Sequence, residues 1–276
     1  MLQLHHGDCL EVMKGIPDKS VDLIVCDLPY GCLTSDRKGK RVGPLKDSSD
    51  PNSNIIIVNK PCAWDIKIDL VAFWEQVRRI RKDDHTPTIH FCTTKFGYEL
   101  IKSNEKEFRY DLVWDKQRGV SFLSANKMPM RSHEMIYVFS KAGAFYKRKD
   151  IDSPGKKKRN DNIDKPHHAN VYVTANSKLH RSQGADENKA CVMSVIQIKK
   201  VGVKTQAHPT EKPMELYKWL IERYSKEGDT ILDPTFGSGN SVFTAVELGR
   251  KAIGIEKDKG FYDKAKEKLS EIILPG

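Results

Sequence analysis

Short apolar runs alternate along this chain with longer segments whose apolar positions recur every three to four residues. The runs at 2–5, 22–26, 88–92, 110–114, 135–140, 230–232 and 252–255 predict strands. Helical spacing predicts helices over 69–81, 96–103, 214–225, 240–248 and 259–272. Phe73, Trp74 and Val77 share one face of the first helix and are assigned to the core. Alternation of this kind predicts an α/β fold on a largely parallel sheet with helices on both faces. Ligand loops of such sheets lie at the carboxyl ends of the strands.

Two stretches break the alternation. Residues 31–63 are rich in Gly, Pro, Ser, Asp and Asn and carry Arg37, Lys38, Lys40 and Arg41. A loop of this length is usually functional or mobile. Residues 141–205 have weak periodicity and two basic runs, Lys147-Arg148-Lys149 and Lys156-Lys157-Lys158-Arg159. The expected organisation is therefore one core formed by 1–140 and 206–276, interrupted by an insertion at 141–205.

Charge and cysteines narrow the setting. A formal charge of +10 over 276 residues suits a polyanionic partner, although charge alone fits general solubility equally well. For the basic runs a solvated surface is the plain reading and a nucleic-acid-facing insertion the sharper one. No apolar stretch reaches the roughly 18 residues that span a bilayer, and no signal-peptide pattern opens the chain. Cys9, Cys26, Cys32, Cys62, Cys92 and Cys191 lack ligand spacing, so reduced thiols in the cytoplasm or another reducing compartment are expected. His167-His168 has no companion ligands, and no metal is expected.

The chemistry starts at Asp27-Leu28-Pro29-Tyr30-Gly31, directly after the apolar run at 22–26. It sets a carboxylate, backbone carbonyls and an aromatic ring at the tip of a buried strand. A flat base bearing an amine could use all three. Alone, the pentapeptide is also ordinary turn chemistry. A second motif, Asp233-Pro234-Thr235-Phe236-Gly237-Ser238-Gly239-Asn240, joins a strand to a helix, and the next strand ends at Glu256. Glycines allow close backbone approach to a ligand, a helix start favours anions, and a strand-end acid can accept from a ribose diol. The dinucleotide fingerprint would need glycine where Val242 stands, and Asp233-Pro234 is foreign to it.

The second motif resembles the cofactor loop of S-adenosylmethionine-dependent methyltransferases, and the two motifs together resemble DNA amino-methyltransferases. Further resemblances are His6-Gly7-Asp8-Cys9-Leu10, Asp111 to Lys116, Arg131-Ser132-His133-Glu134, and His208-Pro209-Thr210-Glu211-Lys212-Pro213. The order of blocks, catalytic first and cofactor last, resembles the beta class. Leu28 is a departure, because the family's commonest motif has proline there. Asp27, rather than serine, resembles the adenine-directed members.

The resemblance implies a Rossmann-like core and methyl transfer from S-adenosylmethionine to the N6 amine of adenine in duplex DNA, with base flipping. Asp27, Leu28, Pro29 and Tyr30 would be catalytic. The cofactor would meet Asp8, Cys9, Asp27, Thr210, Lys212, Asp233, Pro234, Phe236, Gly237, Ser238, Gly239, Asn240 and Glu256, with Lys212 approaching its carboxylate. DNA would meet Arg37, Lys38, Lys147, Arg148, Lys156, Lys157, Lys158 and Arg159, and the insertion would recognise the target. Related enzymes often form homodimers and act beside a cognate restriction endonuclease. Other readings are a cytosine-N4 methyltransferase, a nucleotide-binding oxidoreductase, and a DNA-binding module without activity.

Overall fold

The computed structural model describes residues 1–30, 45–46, 54–55, 67–120, 122, 125–149, 151–152, 189–202 and 210–273. In chain order the elements are β1 (Leu2–His6), α1 (Cys9–Met13), β2 (Leu23–Cys26), β3 (Leu45–Lys46), β4 (Asn54–Ile55), α2 (Leu70–Ile80), β5 (Thr88–Cys92) and α3 (Thr94–Ser103). They continue with β6 (Phe108–Val120), β7 (Arg131–Phe139), β8 (Ile151–Asp152), β9 (Lys189–Ala190) and β10 (Val195–Gln197). The last are α4 (Met214–Tyr224), β11 (Thr230–Asp233), α5 (Asn240–Glu247), β12 (Lys251–Glu256) and α6 (Lys259–Ile273).

Two compact units are formed, one from residues 1–147 with 194–276 and one from 148–193. In the smaller unit β8 pairs antiparallel with β9. The larger unit holds an eight-stranded sheet in the order β1-β12-β11-β2-β5-β7-β6-β10. Strands β1, β12, β11, β2 and β5 are mutually parallel. β7 alone runs against its neighbours β5 and β6, and β10 is parallel to β6.

From β2 the chain crosses through α2 to β5 on one side; from β11 it crosses through α5 to β12 on the other. The sheet therefore has its topological switch point between β2 and β11, where a crevice opens beyond the strand ends. All four residues of β2 are buried, which is why its sequence reads as an unbroken apolar run. Leu23 and Val25 enter one core cluster with α4 and α5; Ile24 and Cys26 enter the other with α1, α2 and α3.

Helix α2 starts where the Asp69 carboxylate accepts from the backbone N–H groups of Val71 and Ala72. It buries Phe73, Trp74, Val77 and Ile80 as a stripe. Among the described residues no helix is long and apolar enough to cross a membrane. Cys9, Cys26 and Cys92 are buried free thiols and Cys191 is exposed.

Opposite α2, His90 of β5 sits fully buried within 5.3–5.6 Å of the rings of Phe73, Trp74 and Phe139, and neither ring nitrogen has a hydrogen-bond partner. Burial lowers its pKa from 6.5 to about 3, so the folded state holds it neutral. A base depressed on folding stabilises above its unfolded pKa, and that contribution is lost as pH falls through the window from 6.5 towards 3. The slope from this group approaches about 1.4 kcal/mol per pH unit inside the window. His90→Phe is expected to raise stability and flatten this slope between pH 7 and 5. Denaturant unfolding at the two pH values checks it, and an unchanged slope would reject the assignment.

Candidate active site

Asp27 leaves the carboxyl end of β2, and its backbone carbonyl accepts from the Thr235 hydroxyl at 3.2 Å, joining the two strand-end loops across the switch point. Leu28 turns back into the core at 1 % exposure. An apolar side chain buried there contributes about 1.5–3 kcal/mol, so leucine at this position anchors the loop. Tyr30 rests its ring against Phe96, with centroids 5.0 Å apart and planes tilted by 32°. Its hydroxyl donates to Asp27 Oδ1 at 2.7 Å.

A buried ionic cluster surrounds this loop. Lys212 Nζ donates to Asp27 Oδ2 at 2.5 Å, lies 3.3 Å from Glu134 Oε1, and also donates to the Thr210 carbonyl at 3.3 Å. Lys116 Nζ meets Glu134 Oε2 at 2.8 Å. Two carboxylates thus face two ammonium groups, which offsets much of the desolvation each would suffer alone. Burial pushes the Asp27 carboxyl up, against the pull of Lys212. Burial works to raise the Glu134 carboxyl as well, but Lys212 and Lys116 together outweigh it and hold it below the ordinary range. Burial would depress Lys212, yet Asp27 and Glu134 outweigh burial and keep its ammonium charged.

Beyond β11, the Glu256 carboxylate at the end of β12 accepts from the backbone N–H groups of Gly237 at 2.9 Å and Asp258 at 2.7 Å. Four lone-pair sites serve a carboxylate, so Glu256 keeps acceptor capacity toward the cavity. Gly239 adopts φ 82° at the entry to α5, and a Cβ there would stand 2.6 Å from Phe243. Glycine is needed on both counts. Asp233 is 1 % exposed and accepts from Thr235 N and Ser241 Oγ. Burial raises its carboxyl to about 7. Asp8 caps α1 by accepting from Leu10 N and pairs with Lys257 at 3.0 Å.

A cavity of about 480 Å³ lies over the switch point. Asp27, Leu28, Pro29 and Tyr30 line it, and so do Asp8, Cys9, Thr210 and Lys212. Pro234, Phe236, Gly237, Ser238 and Glu256 complete the wall that the sequence pointed to. Asp233, Gly239 and Asn240 do not line it. They stand behind it, where Asp233 braces its turn and Asn240 Nδ2 donates to Glu211 and to the Lys212 carbonyl. Lys212 directs its ammonium to Asp27 and Glu134. Lys147 and Arg148 are exposed and do not line the cavity. Arg37, Lys38, Lys156, Lys157, Lys158 and Arg159 lie outside the described residues.

Sequence reasoning did not assign Glu134 or Lys116. Both flank the cavity because β7 runs antiparallel: its amino end arrives at the edge where β5 and β6 leave. Trp114 pairs with Glu134 across this ladder, which brings Lys116 to the same rim. The available signal was an acid at the head of the apolar run 135–139, and a lysine two residues beyond the buried Trp114 in a period-2 strand.

A family model described as DNA methylase matches residues 21–267. The type II methyltransferase M.HinfI of Haemophilus influenzae is 26% identical over 280 residues, covering 96% of this chain and 67% of its own length. Among solved structures, the cytosine-N4-specific PvuII DNA methyltransferase matches with a TM-score of 0.62 at 15% identity, over 98% of this chain and 90% of that one. The M1.HpyAVI–SAM complex matches with a TM-score of 0.55 at 17% identity, over 98% of this chain and all of that one. At such identities the two structures share the fold with this chain.

Proposed function

The chain belongs to the N6/N4 DNA methylase family, and from that premise we propose that it transfers a methyl group from S-adenosylmethionine to the exocyclic N6 amine of adenine in duplex DNA. One observation carries this reading. A single cavity is bounded on one side by Asp27, Leu28, Pro29 and Tyr30, and on the other by Phe236, Gly237 and Glu256. Its volume falls in the usual range of about 300–1,000 Å³ for ligand clefts.

The lining fits both reactants. Acids at the ends of β1 and β12 suit a cationic, diol-bearing group: Glu256 is anchored by two backbone amides, and Asp8 sits across the cavity wall. Phe236 and Gly237 supply the wall between them, and Ser238 lies just before α5. When bound, S-adenosylmethionine supplies a methyl group already activated by its sulfonium.

On the base side the amine of adenine is a weak nucleophile, because its lone pair is delocalised into the ring. Hydrogen bonds accepted by Asp27 and by the Leu28 carbonyl pull the nitrogen toward a tetrahedral shape and spread its developing positive charge. That is stabilisation of the transition state rather than of the resting complex. The Tyr30 ring, held by Phe96 on one side, offers its other side for stacking. A base within a duplex must leave its stack to reach such a site. The basic insertion and the loop bearing Arg37 and Lys38 supply the phosphate contacts in this reading.

The choice of adenine over cytosine rests on Asp27, the residue type of adenine-directed members. Incubation with DNA and methyl-labelled cofactor, followed by digestion and mass analysis of the nucleosides, tests it. Labelled N6-methyldeoxyadenosine is the expected product. N4-methyldeoxycytidine would move the assignment to the cytosine amine, and no labelled nucleoside would overturn the reading.

A further inference from the structure

Each oxygen of Asp27 already accepts one hydrogen bond, one of them from an ammonium. Tyr30 Oη donates to Oδ1 at 2.7 Å and Lys212 Nζ donates to Oδ2 at 2.5 Å. An incoming amine must displace a donor or share its acceptor. The same two donors have a second acceptor in common: Glu134 Oε1 lies 3.3 Å from Tyr30 Oη and 3.3 Å from Lys212 Nζ. The other oxygen of Glu134 is held by Lys116 at 2.8 Å. We propose that Glu134 is a positioning residue that takes over Lys212 and the Tyr30 hydroxyl when the target amine enters, leaving the Asp27 carboxylate to accept from that amine.

The exchange is physically economical. Each donor needs to close only a few tenths of an ångström to turn a 3.3 Å contact into a full hydrogen bond. No charge crosses the site, since one ammonium passes between two carboxylates that it already touches. With such a relay, base entry need not crowd three donors onto one carboxylate, and the ammonium and hydroxyl that move aside keep an acceptor. Lys116 anchors Glu134 through its other oxygen, and Lys212 and Lys116 together, outweighing burial, hold its carboxyl below the ordinary range. The Thr210 carbonyl also accepts from Lys212, at 3.3 Å, while Glu134 Oε1 is within reach of both donors. In the chemical step the nitrogen lone pair forms the C–N bond and the C–S electron pair returns to sulfur. The amine proton then leaves along its hydrogen bond to Asp27.

This proposal rests on the methyl-transfer reading, and the two can fail separately. Steady-state methylation and cofactor calorimetry are measured for the wild type, Glu134→Gln, Glu134→Ala and the double variant Glu134→Ala with Lys212→Met. The expected kcat loss is about 10-fold for Gln, which keeps one acceptor oxygen, and about 100-fold for Ala, with KM for DNA and cofactor affinity within about threefold. The double variant removes the competing ammonium together with its second acceptor. It is expected to recover about 5–10-fold in kcat over Glu134→Ala, a coupling that a merely structural residue would not show. Single variants within about twofold of wild type in kcat, or a double variant no faster than Glu134→Ala, would overturn the relay. A wild type that binds the cofactor yet methylates no DNA would overturn the reaction beneath it. Should Glu134→Ala fail to fold, Glu134→Gln and its own double with Lys212→Met give the same comparison.

Discussion

Asp27→Ala is expected to lower turnover about 10³-fold while cofactor affinity stays within about threefold. The magnitude follows from preorganised groups aimed at charge that develops in the transition state, each typically worth about 10²–10³ in kcat. Ala removes the carboxylate but not the Leu28 carbonyl, whose loop is held by the buried leucine side chain and by the Thr235 hydroxyl. Glu256, Phe236 and Gly237 are untouched, so binding and chemistry separate. Asn at the same position keeps one oxygen but turns an amide donor toward Lys212 or the amine, and a loss of about 10² is expected. Single-turnover methylation beside calorimetry reads both quantities, and unimpaired turnover in Asp27→Ala would remove Asp27 from the reaction.

Lys212→Met is expected to be the most destabilising single change near the site. It leaves Asp27 and Glu134 facing each other with only Lys116 for compensation. Removing one partner of a buried ion pair typically costs about 3–5 kcal/mol. At about 2–4 °C per kcal/mol for a chain of this size class, Tm should fall by about 6–20 °C. The sign of its pH dependence is diagnostic. In the wild type Lys212 is raised above its unfolded value, so its contribution is complete below pH 10.5 and disappears only as pH rises through the folded pKa. In the variant the carboxylates lose their cation and their folded pKa values rise. Their penalty then eases as pH falls and one of them takes a proton. Thermal unfolding at pH 8 and 5.5 should show a smaller deficit at 5.5; an equal or larger one would reject the arrangement.

What could be read without coordinates follows from which patterns have one physical solution. The stripe Phe73, Trp74 and Val77 fits burial by a helix, and α2 buries it together with Ile80. The run at 22–26 announced a strand covered on both faces, and the structure buries all of Leu23–Cys26. Asp27 and Glu256 were legible because both follow parallel strands, whose carboxyl ends share one rim. Glu134 stood out only within a family-like run and without a role, since a period of two carries no information on strand direction and β7 is the strand that runs backwards. Helix α1 has five residues and β10 has three, too few for either to display a period. The orientation of Lys212 depends on Glu134, 78 positions earlier, and no local pattern links the two.

The sheet order has a consequence for how the protein is made. Among the described residues β1 hydrogen-bonds to β12 and to no other strand, so it waits for residues 251–256 to be made. At about 5–20 residues per second, that interval is roughly 12–50 s of translation. β2 likewise lacks its β11 neighbour until residue 231 has been made. A chain in which β11 has yet to be made therefore has no crevice between β2 and β11, and one in which β12 has yet to be made cannot bring Asp27 and Glu256 to one cavity. Cavity formation is therefore a late event in synthesis, and a chain that stops before β11 is expected to lack the cavity.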